Sequence, residues 1–187
     1  MPSTILLETI GEQFTGILEI IRDVDSDENI PGTQLRKEGH RHSDQVFDLL
    51  SHGESLPFFR QNYMELSGRI SQFRGELICI MDFRKSLVDV ESELLSSLLE
   101  RTKETTGIFY STWMKLEGKI FESGREIKLA TAPLFKAEEI ARSLNKLAFS
   151  PGASTHYICL AECANNIIIS LQAIDLALKK LIVIRTL

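Results

Sequence analysis

Apolar side chains recur along most of this chain at steps of three and four, the period of an α-helix and not of a strand. The first such stretch predicts a helix from about Ser3 to Arg22, with Ile10, Phe14, Ile17, Leu18 and Ile21 on one face and Leu6 and Leu7 at its start. Gly11 and Gly16 weaken that helix. The strongest pattern follows Ser55, which can cap, and Pro57, which suits a first helical turn. Leu56, Phe59, Tyr63, Leu66, Ile70, Phe73, Leu77 and Ile80 form a heptad seam, whose register continues through Leu87 and Leu94 with charged Arg84 and Glu91 interrupting it. Gly68 and Gly75 lie off the seam, where they cost helix propensity and permit close approach. No proline occurs between Pro57 and Pro133. One helix from Leu56 to Lys103 would be roughly 70 Å long at the usual rise. Compact domains seldom use such a length, so the pattern implies either a rod or a break that the sequence does not mark.

Other punctuation divides the rest. Asp23 to His42, with Asp23, Asp25, Asp27, Asn29, Pro31 and Gly32, reads as a polar loop, after which Ser43 caps a short helix carrying Val46, Phe47, Leu49 and Leu50 and ending near Gly53. Thr105-Thr106-Gly107 predicts a break. Phe109, Trp113, Leu116, Ile120 and Ile127 then resume the spacing across two interior glycines, Gly118 and Gly124, and Pro133 ends or kinks that element. Leu134 to Ala148 continues with Ile140, Ala141, Leu144 and Leu147 on one side, and Ser150-Pro151-Gly152 is a turn. The last helix, from near Ser154, is apolar on nearly all sides and reads as the central helix of a bundle. Its end, Leu181 to Leu187, either packs back on the bundle or belongs to a longer chain. The expected fold is all-α: a single domain over 1–187, a helical bundle with long antiparallel, coiled-coil-like helices.

Composition narrows the function classes. Apolar residues make up 43% and charged residues 25%, the balance of a folded domain rather than a disordered one. The net charge is −5, and the densest basic stretch, Arg36 to His42, is short and broken by Glu38, so a phosphate-neutralising surface is not expected. Three cysteines, Cys79, Cys159 and Cys163, give no disulfide framework and suit a reducing, intracellular, cytoplasmic setting. The N-terminus lacks a basic n-region and meets Glu8, unlike a secretory signal. The most apolar stretch, Tyr157 to Leu178, contains Glu162, Asn165, Asn166, Gln172 and Asp175 and makes a poor membrane span.

Few residues suggest chemistry. Asp23, Asp25, Asp27 and Ile30 resemble the start of an EF-hand calcium loop, but Glu28 stands where the glycine should be and Gln34 where the bidentate acid should be. They are weak metal candidates, and a solvated acidic loop explains them better. His156, Cys159 and Cys163 would share a helical face, yet zinc needs a fourth ligand that no nearby residue supplies. The Arg36-to-His42 spacing resembles that of certain helical ribonucleases, which need the pair on a helix in a paired-helix cleft; Gly39 and a loop reading oppose this. Glu38, His40 and His52 add polarity there, and Glu138-Glu139 is a solvated face. The aromatic set Phe58, Phe59, Tyr63, Phe73, Phe109, Tyr110 and Trp113 follows core spacing. No nucleophile elbow, phosphate loop or Cys-x-x-Cys occurs. The expectation is therefore a non-enzymatic interaction and scaffolding module without cofactors, bound to protein partners or to its own copies through the seam Leu56 to Ile80. The seam could equally close within one chain. Two alternatives stand behind it: a membrane-acting bundle that inserts Ile5 to Ile21 or the C-terminal helix, and a helical hydrolase or nuclease.

Overall fold

The three–four spacing becomes helix from end to end: α1 (Thr4–Ser26), α2 (Gly32–Ser51), α3 (Pro57–Arg84), α4 (Asp89–Lys115), α5 (Ile120–Leu129), α6 (Thr131–Ala148) and α7 (Thr155–Thr186). The computed structural model describes residues 4–26, 32–52, 57–84, 89–153 and 155–186, and no strand occurs among the described residues. Among them, too, no helix is long and apolar enough to cross a membrane.

Three boundaries differ from the expectation, each for a physical reason. Asp23 to His42 is not one loop, because α1 runs on to Ser26 and α2 starts at Gly32. Leu35, Val46 and Leu50 give α2 a buried edge, while most of its remaining residues are polar, Phe47 aside, and so resemble a loop in composition. Ser43 is not a cap but a mid-helix residue; its hydroxyl donates to Gly39 O at 3.1 Å and shares a hydrogen bond with Ser71 of α3. The stretch 56–103 is not one rod: α3 ends at Arg84 and α4 begins at Asp89. Thr105-Thr106-Gly107 is no break, since the two threonine hydroxyls donate back to Arg101 O and Thr102 O at 2.8 Å and are satisfied inside α4. The chain turns instead at Leu116 to Gly118, just beyond Lys115. As expected, the chain breaks at Pro133: α5 ends at Leu129, whose carbonyl a proline four residues on cannot bond, and α6 starts at Thr131. Pro133 is the third residue of α6, in the first turn, where its missing N–H has no intrahelical acceptor to lose. The turn at 150–153 is as expected, with Gly152 at φ +84° in the left-handed region.

The core grows from matching seams. Leu6, Ile10, Phe14, Ile17 and Ile21 of α1 are buried. So are Tyr63, Leu66, Ile70, Phe73, Leu77 and Ile80 of α3, and Leu160, Ala164, Ile167, Leu171, Ile174, Leu178 and Leu181 of α7. Each fully buried Leu, Ile or Phe contributes about 1.5–3 kcal/mol relative to exposure. α7 packs against α3, α4, α5 and α6. Trp113 of α4 packs edge-on to Tyr63, its ring centroid 6.1 Å away, and donates its indole N–H to Leu7 O at 2.9 Å, tying α4 to α1. Polar clamps set the register of α7. Asn145 and Asn165 exchange amide bonds at 2.9 and 3.0 Å, and Gln172 donates to Glu138 at 2.7 Å. Lys180 reaches Glu65 at 3.2 Å. The C-terminal apolar run packs back on the bundle, with Leu181 and Ile182 buried.

Candidate interaction surface

The heptad seam faces inward. Phe59 is partly buried against the core, Tyr63, Leu66, Ile70, Phe73, Leu77 and Ile80 are buried in it, and Leu56 lies outside the described residues. Of the two ways to satisfy that seam, the fold uses the intramolecular one, with α1, α2 and α7 as partners of α3. The aromatic set goes the same way: Phe109, Trp113, Tyr63 and Phe73 are buried, Phe59 and Tyr110 are half-buried, and the side chain of Phe58 lies outside the described residues. The apolar face of α1 is likewise spent in the core.

The most polar enclosed region lies where α1, α2 and α3 meet around Arg74, only 6% exposed. Its Nε donates to Leu35 O at 3.0 Å and its Nη2 to Glu38 at 3.4 Å. Glycines make the room: a Cβ on Gly16 would sit 2.8 Å from Nη1, and one on Gly39 2.8 Å from Cδ. Burial lowers the guanidinium pKa, while Glu38 and Glu19 oppose the shift. Beside it His42 holds Nε2 3.7 Å from Glu12, and burial lowers the imidazole pKa despite that carboxylate. A cavity of about 470 Å³ opens here, bordered by Glu12, Glu19, Asp23 and Glu38 against Arg22, Arg41 and Arg74. Arg22 pairs with Asp23 and Arg74 with Glu38, and the His42 ring lies against Glu12, so the corner joins α1, α2 and α3 with its charges nearly balanced. The helical setting that the Arg36–His42 resemblance requires is present, with His42 on this cavity; the side chain of Arg36 lies outside the described residues.

Asp23 is buried within α1 and accepts from Arg22 at 3.3 Å; Asp25 falls in the last turn of α1, and Asp27 lies outside the described residues. The calcium-loop reading therefore loses its loop at Asp23 and Asp25, which are helical. Among the described residues no three His, Cys, Asp or Glu side chains group so as to hold a metal ion. Cys79, Cys159 and Cys163 are free thiols, and burial, with Cys79 and Glu76 nearby, pushes the Cys163 thiol up to about 11, far from a thiolate at neutral pH.

What the sequence reading missed is the outside of α7. That helix is not apolar all round. Ile169, Leu176 and Val183 stand in a line at seven-residue steps, 58%, 54% and 57% exposed. Glu162, Asn165, Gln172 and Lys179 fill the three–four steps between and before them. Those four polar positions were the available signal: they share the helical period of the apolar residues but sit on the opposite side. Leu176, Val183 and Ile184 line a shallow apolar hollow with the stems of Lys179 and Lys180. Alongside, a groove between α6 and α7 is lined by Ala141, Ile168 and Ile169. Phe135 is half exposed on α6, with the Arg142 guanidinium 5.8 Å over its ring.

The chain matches no family model, no curated protein and no solved structure.

Proposed function

We propose that this chain is a protein-interaction and scaffolding module of the cytoplasm, a bundle of antiparallel, coiled-coil-like helices that associates with its own copies through its outer surface. One observation carries the reading: the ordered line Ile169, Leu176 and Val183 on the outside of α7. Apolar residues scattered singly on a surface need no explanation, whereas exposed apolar residues repeated in register along one helix and rimmed by polar groups suit a contact site. Here the strip is rimmed by Gln172, Lys179 and Lys180. Insertion of α1 or α7 into a bilayer is disfavoured on the same grounds, since either move would empty the core of residues such as Phe14, Ile17, Leu171 and Ile174. The test is absolute mass by light scattering across a concentration series. The reading expects the mass to climb from 21.1 kDa toward twice that value as concentration rises. A constant 21.1 kDa at every concentration would overturn self-association.

A further inference from the structure

The outer side of α3 carries its own three–four line: Gln61, Glu65, Gly68, Gln72, Gly75 and Cys79. A Cβ on Gly68 or on Gly75 would meet nothing within 4 Å, so no neighbour among the described residues accounts for these glycines. Each costs a mid-helix position close to 1 kcal/mol relative to alanine, by a general estimate of about that size. The Lys180–Glu65 contact aligns this line with that of α7. One turn on from the contact, Leu176 comes level with Gly68, and a further seven residues bring Ile169 level with Gly75. Along the two helices, aliphatic projections on α7 thus stand beside flat places on α3 at the same two levels.

We propose that a second copy of this chain docks on the outer face of α3 and α7 about a two-fold axis parallel to the helices. Leu176 and Ile169 of each copy then sit over Gly68 and Gly75 of the other. The proposal rests on the self-association reading above and names its surface. That axis crosses α7 of one copy over α3 of the other while keeping every level, so the contact is isologous. Lys180, already bonded to Glu65 within its own chain, comes to face Glu65 of the other copy as well, so the two pairs form one alternating cluster of charge. A two-fold axis in the same plane but across the helices would stack α7 on α7 and α3 on α3. It would set leucine on leucine and glycine on glycine, and would lose the fit. From Gln61 to Cys79 the face is about 27 Å long and, at two helix diameters, about 20 Å wide. That footprint, on the order of 500 Å² per copy, is smaller than the roughly 800 Å² of a standard interface and suits a weak, reversible dimer.

The experiment compares wild type, Gly68→Leu, Leu176→Glu, Lys180→Glu and the exchange Lys180→Glu with Glu65→Lys, reading mass across concentration and melting temperature for each. Gly68→Leu fills open space, so its melting is unchanged or raised while the dimer weakens at least tenfold. Leu176→Glu keeps its fold and weakens the dimer similarly. Lys180→Glu weakens it, and the exchange restores it. A wild type that dimerises while Gly68→Leu and Leu176→Glu dimerise equally well overturns this face but leaves self-association standing. A wild type that stays monomeric throughout overturns both.

Discussion

The inner and outer faces of α3 and α7 carry the same period and opposite consequences. Inside, Tyr63, Leu66, Ile70, Phe73, Leu77 and Ile80 meet Leu160, Ala164, Ile167, Leu171, Ile174, Leu178 and Leu181 in a closed core. Outside, Ile169, Leu176 and Val183 recur just as regularly and stay more than half exposed. Heptad spacing tells which residues share a side of a helix, not what lies on that side. Burial decides it, and burial depends on how many helices surround the one in question. α3 and α7 each have neighbours enough to cover one side. The difference assigns stability to the inner seam and leaves the outer line open to solvent, where the proposed contact would form.

Substitutions can break that division in order of expected size. Phe73→Asp puts an unpaired carboxylate into a fully buried place and is expected to cost about 3–5 kcal/mol, read by denaturant unfolding. Unchanged stability would mean that the inner seam is not the core. Gly39→Leu puts a side chain 2.8 Å from Arg74 Cδ and forces the guanidinium away from the Leu35 carbonyl and from Glu38, an expected loss of about 2 kcal/mol. Gly68→Leu is its outward counterpart, expected to gain up to about 1 kcal/mol in the monomer because nothing opposes the new side chain and helix propensity improves. Equal melting of these two leucine variants would erase the contrast between inner and outer glycines.

A smaller effect comes from His42, whose folded-state pKa lies below its ordinary value because burial disfavours the charged ring. As pH falls below about 6.5 the unfolded chain takes up this proton first, so stability is lost as the solution is acidified through that point. Replacing His42 by Gln should flatten the pH dependence of melting between about pH 6.5 and 5. An unaltered profile would place the sensitivity elsewhere. The least change is expected of Tyr63→Phe. The buried hydroxyl of Tyr63 has no hydrogen-bond partner among the described residues, so its removal should shift stability by no more than about 0.5 kcal/mol or should stabilise slightly.

Much of the fold was legible because apolar period alone specifies helices and their inner faces: the α1 face from Leu6 to Ile21, the α3 seam and the turn at Gly152 all follow from it. Boundaries were less so. Thr105-Thr106 looks like a breaker pair until its hydroxyls are seen to bond back along the helix, whereas Pro133 does mark the break between α5 and α6 that its missing donor predicts. α2 was hidden by its polarity, since only Leu35, Val46 and Leu50 mark its buried edge and its tightest contact is a glycine against an arginine from another helix. Arg74 itself gave no sign. A lone arginine in a seam-bearing helix reads as solvated until three helices close on it. The candidate contact surface was the least legible part, because α7 is rich enough in Ile and Leu to hide which of them face out.

The division between a stabilising inside and a contacting outside is tested most directly by hydrogen exchange of the wild-type chain at low and high protein concentration. The account predicts that raising concentration slows backbone exchange in α3 around residues 61–79 and in α7 around residues 165–183, and leaves α1, α2 and α4 unchanged. Concentration-dependent slowing in α1, α2 or α4 instead, or none anywhere, would contradict it.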